Sequence, residues 1–149
     1  MIINLKTLEV YTDGSASPNP GQGAWAYCII EGKKPIKIES GYAEKATNNQ
    51  MELKAILEAL KEVQRQHSDC MIYLYTDSQY AERGLNAWLP KWKRNDFNVK
   101  NSDVWRILEK ISNKLNLQVQ WIRSHNKNKW NEFVDKLCSE TINKHKTNV

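Results

Sequence analysis

Four acidic side chains occupy positions that suit the binding of hard metal cations. Asp13 follows the first predicted strand within Tyr-Thr-Asp-Gly-Ser, and Asp77 ends another strand within Tyr-Thr-Asp-Ser. Glu52 is expected in the first turn of a long helix, and Asp135 in the last helix. Singly, each acid also suits an ordinary role as a turn residue, a helix cap, a helix-dipole partner or a solvated surface acid. Together they would repel one another unless cations neutralise them, and oxygen ligands suit Mg²⁺ or Mn²⁺.

The predicted elements bring these acids together. Asp13 and Asp77 both follow a strand that finishes with Tyr-Thr. If the two strands are parallel neighbours, both carboxylates lie at the same sheet edge, which is where open α/β sheets bind ligands. Glu52 lies beside an apolar helical stripe and is therefore expected to face the sheet. Asp135 shares a helical line with Asn131 and Cys138.

The first half of the chain predicts an antiparallel meander followed by a helix. Residues 6–12, 24–30 and 35–42 read as strands, with a turn at 32–34. Apolar residues then recur at helical spacing, which predicts a helix over residues 48–66 with Thr47 and Asn48 as cap candidates.

The second half alternates strands and helices. The predicted elements are a buried strand at 71–76, a short helix after the N-cap candidate Ser78, a helix capped by Ser102, a strand at 117–122 and a helix at 130–141. This alternation indicates parallel crossovers onto a mixed sheet covered by helices.

Composition predicts one soluble domain. The 149 residues suit a single domain over 1–149, with frayed tails at 1–5 and 143–149. Twenty-two Lys and Arg against seventeen Asp and Glu give a net charge of +5, which is compatible with a polyanionic partner. Three scattered cysteines argue against a disulfide framework. We expect a cytoplasmic protein without membrane contact, because no apolar run is long enough for a span or a signal peptide.

The motifs resemble those of type 1 ribonuclease H, in the same order along residues 6–142. They are Thr12-Asp13-Gly14-Ser15, Thr47-Asn48-Asn49-Gln50-Met51-Glu52-Leu53, Thr76-Asp77-Ser78-Gln79-Tyr80, and His125 ten residues before Asp135. Each motif alone is weak, whereas four in order form a specific signal. The resemblance implies an α/β fold of the ribonuclease H type, with a five-stranded mixed sheet of meander and parallel strands flanked by helices.

The same resemblance implies a reaction and its residues. The expected activity is endonucleolytic hydrolysis of the RNA strand of RNA–DNA hybrids, which leaves 5′-phosphate and 3′-hydroxyl ends. Asp13, Glu52, Asp77 and Asp135 are the implied ligands of two Mg²⁺ ions, with Mn²⁺ as a substitute. His125 matches a loop histidine that assists proton transfer or release of product and metal. His67 and His145 match no motif, and we assign them no role.

The resemblance also implies how the hybrid is bound by a monomeric protein. Asn19, Asn48, Asn49 and Gln79 match contacts to the minor groove and to 2′-hydroxyls, and Thr47 matches a contact to a DNA phosphate. Residues 88–100 resemble a basic protrusion, here called the handle. Its cations Lys91, Lys93 and Arg94 are expected to bind phosphates of the DNA strand, whereas Trp88 and Trp92 are expected to pack the handle onto the body.

Two departures and two alternatives accompany this interpretation. The segment between Trp92 and Trp105 is shorter and holds fewer lysines than fuller bacterial handles, which bears on the strength of hybrid binding and not on the chemistry. The His125 loop lacks the usual glycine. One alternative is a related nuclease or strand-transfer domain acting on DNA, against which the asparagine set and the handle argue. The other is a non-catalytic hybrid-binding module, which would be expected to lack one of the carboxylates.

Overall fold

The computed structural model describes residues 5–124 and 127–147, which form a mixed five-stranded sheet in the order β3-β2-β1-β4-β5. The strands are β1 (Thr7–Ala16), β2 (Gly21–Glu31), β3 (Lys34–Ala46), β4 (Met71–Thr76) and β5 (Asn116–Trp121). The helices are α1 (Asn48–Gln66), α2 (Gln79–Arg83), α3 (Leu89–Arg94), α4 (Ser102–Ser112) and α5 (Lys129–Thr147). This architecture confirms the predicted fold class.

The meander is antiparallel and the remaining pairs are parallel. β1 pairs with β2 and β2 with β3 in antiparallel register, whereas β4 lies parallel to both β1 and β5. Glu31 pairs with Lys34, so that only two residues connect β2 to β3. Gly32 begins this turn with φ of +66°, a conformation that a residue without Cβ adopts readily.

A capping box sets the start of α1. The Thr47 hydroxyl accepts from the Gln50 amide at 3.1 Å, and the Gln50 side chain accepts from the Thr47 amide at 2.9 Å. The helix spans 48–66, as predicted. Its first turn contains no acid, however, which corrects the expected place of Glu52: with the cap at Thr47, Glu52 falls just after that turn.

Each face of the sheet packs on its own helices. On one face, strand residues such as Leu8, Val10 and Leu74 pack with α1 and α4. On the other face, Tyr11, Ala26 and Cys28 pack with α5. The cysteines at 28, 70 and 138 are free and buried, as expected for small apolar residues. In the part of the chain that the structure describes, no helix is both long and apolar enough to span a bilayer.

The segment between β4 and α4 is more helical than the sequence predicts. After α2 the chain continues through a π-helical turn, Gly84–Trp88, directly into α3. A Cβ at Gly84 would lie 2.2 Å from the Trp105 ring, so the missing side chain lets this segment rest on α4. The Trp92 ring lies 4.9 Å from that of Trp105 and 5.5 Å from that of Trp88. The predicted packing of the handle onto the body is confirmed for Trp92, whereas the ring contact of Trp88 is with Trp92 inside the handle.

Two helix ends differ from prediction. Asn101, not Ser102, is the N-cap of α4, with φ of 60°, because Ser102 is already the first helical residue. Helix α5 continues to Thr147, well beyond 141 and into the range predicted to fray. Tertiary contacts explain the extension, because Ile142 is only 5% exposed and the His145 ring stacks on Tyr42 at 3.7 Å.

The packing of Trp92 generates a stability prediction. Trp92→Ala is expected to lower the free energy of unfolding by about 2–4 kcal/mol, because it leaves a cavity between α3 and α4. Chemical denaturation measures this change. Lys91→Ala, one position earlier and exposed, is the control and is expected to change stability by less than about 0.5 kcal/mol. Equal effects of the two variants would contradict the packing role.

Candidate active site

Gly14 allows α1 to approach β1 beside Asp13. A Cβ placed on Gly14 would lie 2.2 Å from the carbonyl carbon of Met51 and 2.4 Å from the amide nitrogen of Glu52. No side chain fits into that space, since the atoms in the way belong to helix backbone. The glycine therefore brings Glu52 of the helix next to Asp13 of the strand.

Parallel pairing brings Asp77 to the same place. Thr12 of β1 lies opposite Thr76 of β4, so the next residue in each strand direction is a site aspartate. The predicted meeting of Asp13 and Asp77 is thus confirmed, but the prediction that Asp13 follows its strand is wrong: pairing with β2 extends β1 to Ala16, so Asp13 lies within it. A carboxylate oxygen from each of Asp13, Glu52 and Asp77 lies within 4.8 Å of the others.

Burial is the largest cause that raises the pKa of the site carboxylates, and nearby negative charge adds to it. Asp13 is 4% exposed and Glu52 is 8% exposed. Burial, followed by the charges of Asp77 and Asp135, raises the pKa of Asp13 to about 8. Burial is also the largest cause that raises the pKa of Glu52 well above its usual value, and it raises the pKa of Asp77. Without a cation, this site therefore retains protons at pH values where carboxyl groups are normally ionised.

The donor set fits a hard divalent cation. The Oε2 atom of Glu52 is buried and has no hydrogen-bond partner among the described residues. A buried anionic oxygen without a partner is unfavourable unless it ligates a cation or is protonated. Three converging carboxylates supply the oxygen ligands that Mg²⁺ and Mn²⁺ prefer.

Helix α5 adds a fourth carboxylate and an amide to the site. The charge of Asp135 contributes to the raised pKa values of Asp13 and Asp77, which puts Asp135 beside the three-carboxylate group. Asn131, one turn earlier, is 2% exposed. Its Nδ2 falls outside strict hydrogen-bonding geometry, yet it is close enough to the Asp77 carboxylate to lower the pKa of that group. The sequence indicated Asn131 only through its four-residue spacing from Asp135.

Comparison with known proteins identifies the family. The ribonuclease H family model matches residues 5–143. This chain belongs to the ribonuclease H family. It is 41% identical over 152 residues to a ribonuclease H of Caldanaerobacter subterraneus subsp. tengcongensis, covering 95% of each chain. It is 38% identical over 141 residues to a ribonuclease H of Hahella chejuensis, covering 91% of this chain and 93% of the relative.

Solved structures of ribonucleases H share the fold. LC11-RNase H1 in complex with an RNA/DNA hybrid matches with a TM-score of 0.72 at 24% identity, over 93% of this chain and 98% of that one. LC9-RNase H1, a type 1 enzyme with the type 2 active-site motif, matches with a TM-score of 0.85 at 19% identity, over 97% of this chain and 75% of that one. At these identities the likeness concerns the fold.

Several residues expected to bind substrate also join elements of the fold. The Asn48 side-chain oxygen accepts from the Ala16 amide at 2.7 Å, and the Asn19 side-chain oxygen accepts from the Asn48 amide at 3.0 Å. These bonds tie the β1–β2 connection to the start of α1. Asn19, Thr47, Asn48 and Asn49 line an open cavity of about 650 Å³ together with Pro20, Gln50, Lys100 and Asn101. Sequence reasoning did not select Asn101 as a candidate; its only signal was its place just before α4.

The handle cations differ in their surroundings. Lys93 donates to the Glu109 carboxylate of α4 at 3.1 Å, although its side chain remains exposed. Lys91 and Arg94 are exposed and form no ion pair within the described residues. Gln79 is exposed at the first position of α2. Lys93 therefore joins the handle to α4, whereas the charged groups of Lys91 and Arg94 form no ion pair with a carboxylate of the described residues.

The predicted catalytic histidine, His125, lies outside the described residues. Among the described residues that follow it, Asn128 lies at the start of α5. Asn128 accepts through its side-chain oxygen from the amides of Trp130 at 3.1 Å and Asn131 at 2.9 Å. Asn128 thus caps the helix that carries Asn131 and Asp135.

The raised pKa of Asp13 predicts how stability depends on pH. Between its unfolded pKa of about 4 and its folded pKa of about 8, the folded state binds more protons than the unfolded state. The free energy of unfolding of the metal-free protein therefore falls as pH rises through this window, by at most about 1.4 kcal/mol per pH unit for each extra proton.

Urea denaturation in EDTA at pH 5 and pH 8 measures this dependence. Asp13→Asn removes the titrating group and relieves the repulsion, so it is expected to flatten the slope and to raise stability at pH 8. Stability that rises with pH over this window would contradict the arrangement of charges.

Proposed function

We propose that this chain is an endonuclease that hydrolyses the RNA strand of RNA–DNA hybrids and leaves 5′-phosphate and 3′-hydroxyl ends. The observation that carries the proposal is the convergence of the buried carboxylates of Asp13 and Glu52 with the half-buried carboxylate of Asp77, within 4.8 Å at one sheet edge. Membership of the ribonuclease H family supports it. A structural neighbour, LC11-RNase H1, was crystallised with an RNA/DNA hybrid, which supports the class of substrate.

The proposed cofactor is Mg²⁺, with two ions per site and Mn²⁺ as a substitute. When bound, such a pair supplies an activated nucleophile and stabilises charge on the attacking and leaving oxygens. Asp13, Glu52, Asp77 and Asp135 would hold the ions, and the unpartnered Glu52 Oε2 offers a free ligand atom. Asn131 would orient Asp77, because its amide already acts on that carboxylate.

The remaining catalytic role falls to His125. We propose that it assists proton transfer or the release of product and metal. It precedes Asp135 by ten residues, and Asn128 anchors the segment between them at the start of α5. The histidine would act next to the carboxylates without ligating the ions itself.

The proposed recognition of RNA depends on amide groups. Backbone amides already occupy the side-chain oxygens of Asn19 and Asn48. Their NH₂ groups remain to donate to 2′-hydroxyls and to base edges in the minor groove, together with Asn49 and Gln79. Because the same side chains hold α1 against the β1–β2 connection, substrate contacts would arise on a preformed surface.

The proposed recognition of the DNA strand depends on phosphate contacts. Lys91 and Arg94 would bind phosphates directly, and Thr47 would contact another at the N-terminus of α1. Lys93 would have to exchange the Glu109 carboxylate for a phosphate. Since that exchange replaces one anion with another, we expect Lys93 to contribute less to affinity than its two neighbours.

The first experiment compares substrates. End-labelled RNA–DNA hybrid, RNA duplex and DNA duplex are incubated with the protein with and without Mg²⁺, and the products are sized. Cleavage of the hybrid alone, only with Mg²⁺, is expected. Cleavage of the DNA duplex would instead support a DNA-directed nuclease, and binding without cleavage would support a hybrid-binding module.

We further propose that the protein is a monomer and acts in the cytoplasm. Analytical sedimentation tests the monomeric state.

Removing a carboxylate is expected to abolish cleavage without unfolding the protein. Asp13→Asn, Glu52→Gln and Asp77→Asn each replace a charged ligand with a neutral one. Losing several kcal/mol of transition-state stabilisation corresponds to a fall of about a thousandfold or more in single-turnover rate. Glu132→Gln changes an exposed acid on the same helix as Asp135 and is the matched control, with an expected rate near that of the unchanged protein. Full activity of Asp13→Asn would disprove the site.

The handle prediction concerns salt dependence. Lys91→Ala and Arg94→Ala combined are expected to reduce the slope of log affinity against log salt by about two, which is about one for each lost phosphate contact. Binding is measured in a Glu52→Gln background that prevents cleavage. Lys93→Ala is expected to change the slope less, and Lys33→Ala, in the exposed β2–β3 turn, is the control. An unchanged slope in the double variant would mean that the hybrid is bound elsewhere.

A further inference from the structure

The backbone around Asp77 is held by several side chains. Asp77 lies between the end of β4 at Thr76 and the start of α2 at Gln79. The Ser78 amide donates to the Thr76 hydroxyl at 3.1 Å, and the Ser78 hydroxyl accepts from the Ala81 amide at 3.1 Å. Both neighbours of Asp77 are thereby fixed, but neither bond involves the carbonyl of Asp77 itself.

Trp121 binds that carbonyl. It is the last residue of β5 and lies opposite Thr76 in the parallel register. Its indole Nε1 donates to the Asp77 carbonyl oxygen at 3.0 Å across 44 positions of sequence. The side chain is 38% exposed, so Trp121 is not a core residue. Its defined polar contact is with the backbone of a residue that carries a site carboxylate.

We propose that Trp121 is a positioning residue that holds the Asp77 peptide so that the Asp77 carboxylate stays within the cation-binding group. The inference rests on the proposed function, because it concerns the same site. Mg²⁺ requires near-ideal octahedral geometry with short bonds. A small rotation of the Asp77 backbone would therefore move the Asp77 carboxylate away from the position that this geometry requires. Partners that orient metal ligands typically change metal affinity by about 10–100-fold when they are removed.

The backbone of Asp13 does not depend on a side-chain donor in the same way. Cys138 also lies against a site carbonyl, with its Sγ 3.4 Å from the Asp13 oxygen. Asp13, however, lies within β1 and is paired with Ala26 of β2, so ladder bonds already fix its peptide. Asp77 has left the sheet and has not yet entered a helix. A side-chain donor from a neighbouring strand therefore matters more at Asp77.

The test variant is Trp121→Phe, which keeps an aromatic ring and removes the indole N–H. The matched control is Asn86→Ala, because Asn86 Nδ2 donates at 2.9 Å to Val119 of the same strand and touches no site residue. Calorimetric titration of the hybrid-free protein with Mg²⁺ is expected to show binding about tenfold weaker in Trp121→Phe and unchanged in Asn86→Ala. Amide hydrogen exchange of Ser78 and Gln79 in EDTA is expected to accelerate only in Trp121→Phe.

The outcomes separate this inference from the proposed function. Unchanged Mg²⁺ affinity and unchanged exchange in Trp121→Phe would overturn the positioning role. Weaker hybrid binding in EDTA together with normal Mg²⁺ affinity would make the ring a substrate contact and would also overturn it. If the unaltered protein neither bound Mg²⁺ nor cleaved the hybrid, the proposed function would fail. The exchange rates at Ser78 and Gln79 would still decide whether the indole holds the Asp77 turn.

Discussion

Mutual repulsion among buried carboxylates is the constraint that the rest of this structure has to satisfy. Asp13, Glu52 and Asp77 offer oxygens within 4.8 Å of one another, and burial together with like charge raises the pKa of each. Such a group does not assemble by its own energetics. It exists because packing elsewhere fixes the elements that carry the acids, which gives a preformed group of oxygen ligands suited to a divalent cation.

Three backbone features hold the acids in place. The capping box at Thr47 sets where α1 begins, and the missing side chain of Gly14 lets that helix lie directly on β1. Parallel pairing of Thr12 with Thr76, the last pair between β1 and β4, places the next residue of each chain segment side by side. The two hydrophobic layers on either side of the sheet stabilise all three features.

The residues proposed to bind substrate also make structural contacts. Asn19 and Asn48 join the β1–β2 connection to α1 through their side-chain oxygens, and Lys93 joins the handle to α4 through Glu109. At the asparagines the structural role and the proposed recognition role are compatible, because different atoms of the side chain would serve each one. At Lys93 the same ammonium group would serve both, so the two roles compete.

The sequence by itself determined the elements and the family. Strand alternation, helical periodicity and four ordered motifs predicted the mixed sheet, the span of α1 and the meeting of Asp13 with Asp77, because local patterns report which face each residue presents. Tertiary structure alone decided the contacts between distant segments. Asn131 beside Asp77, Trp121 on the Asp77 carbonyl, Glu109 on Lys93 and the long end of α5 over Tyr42 all depend on how elements pack. No local pattern encodes such pairs, since each depends on the orientation of elements that lie far apart in the chain.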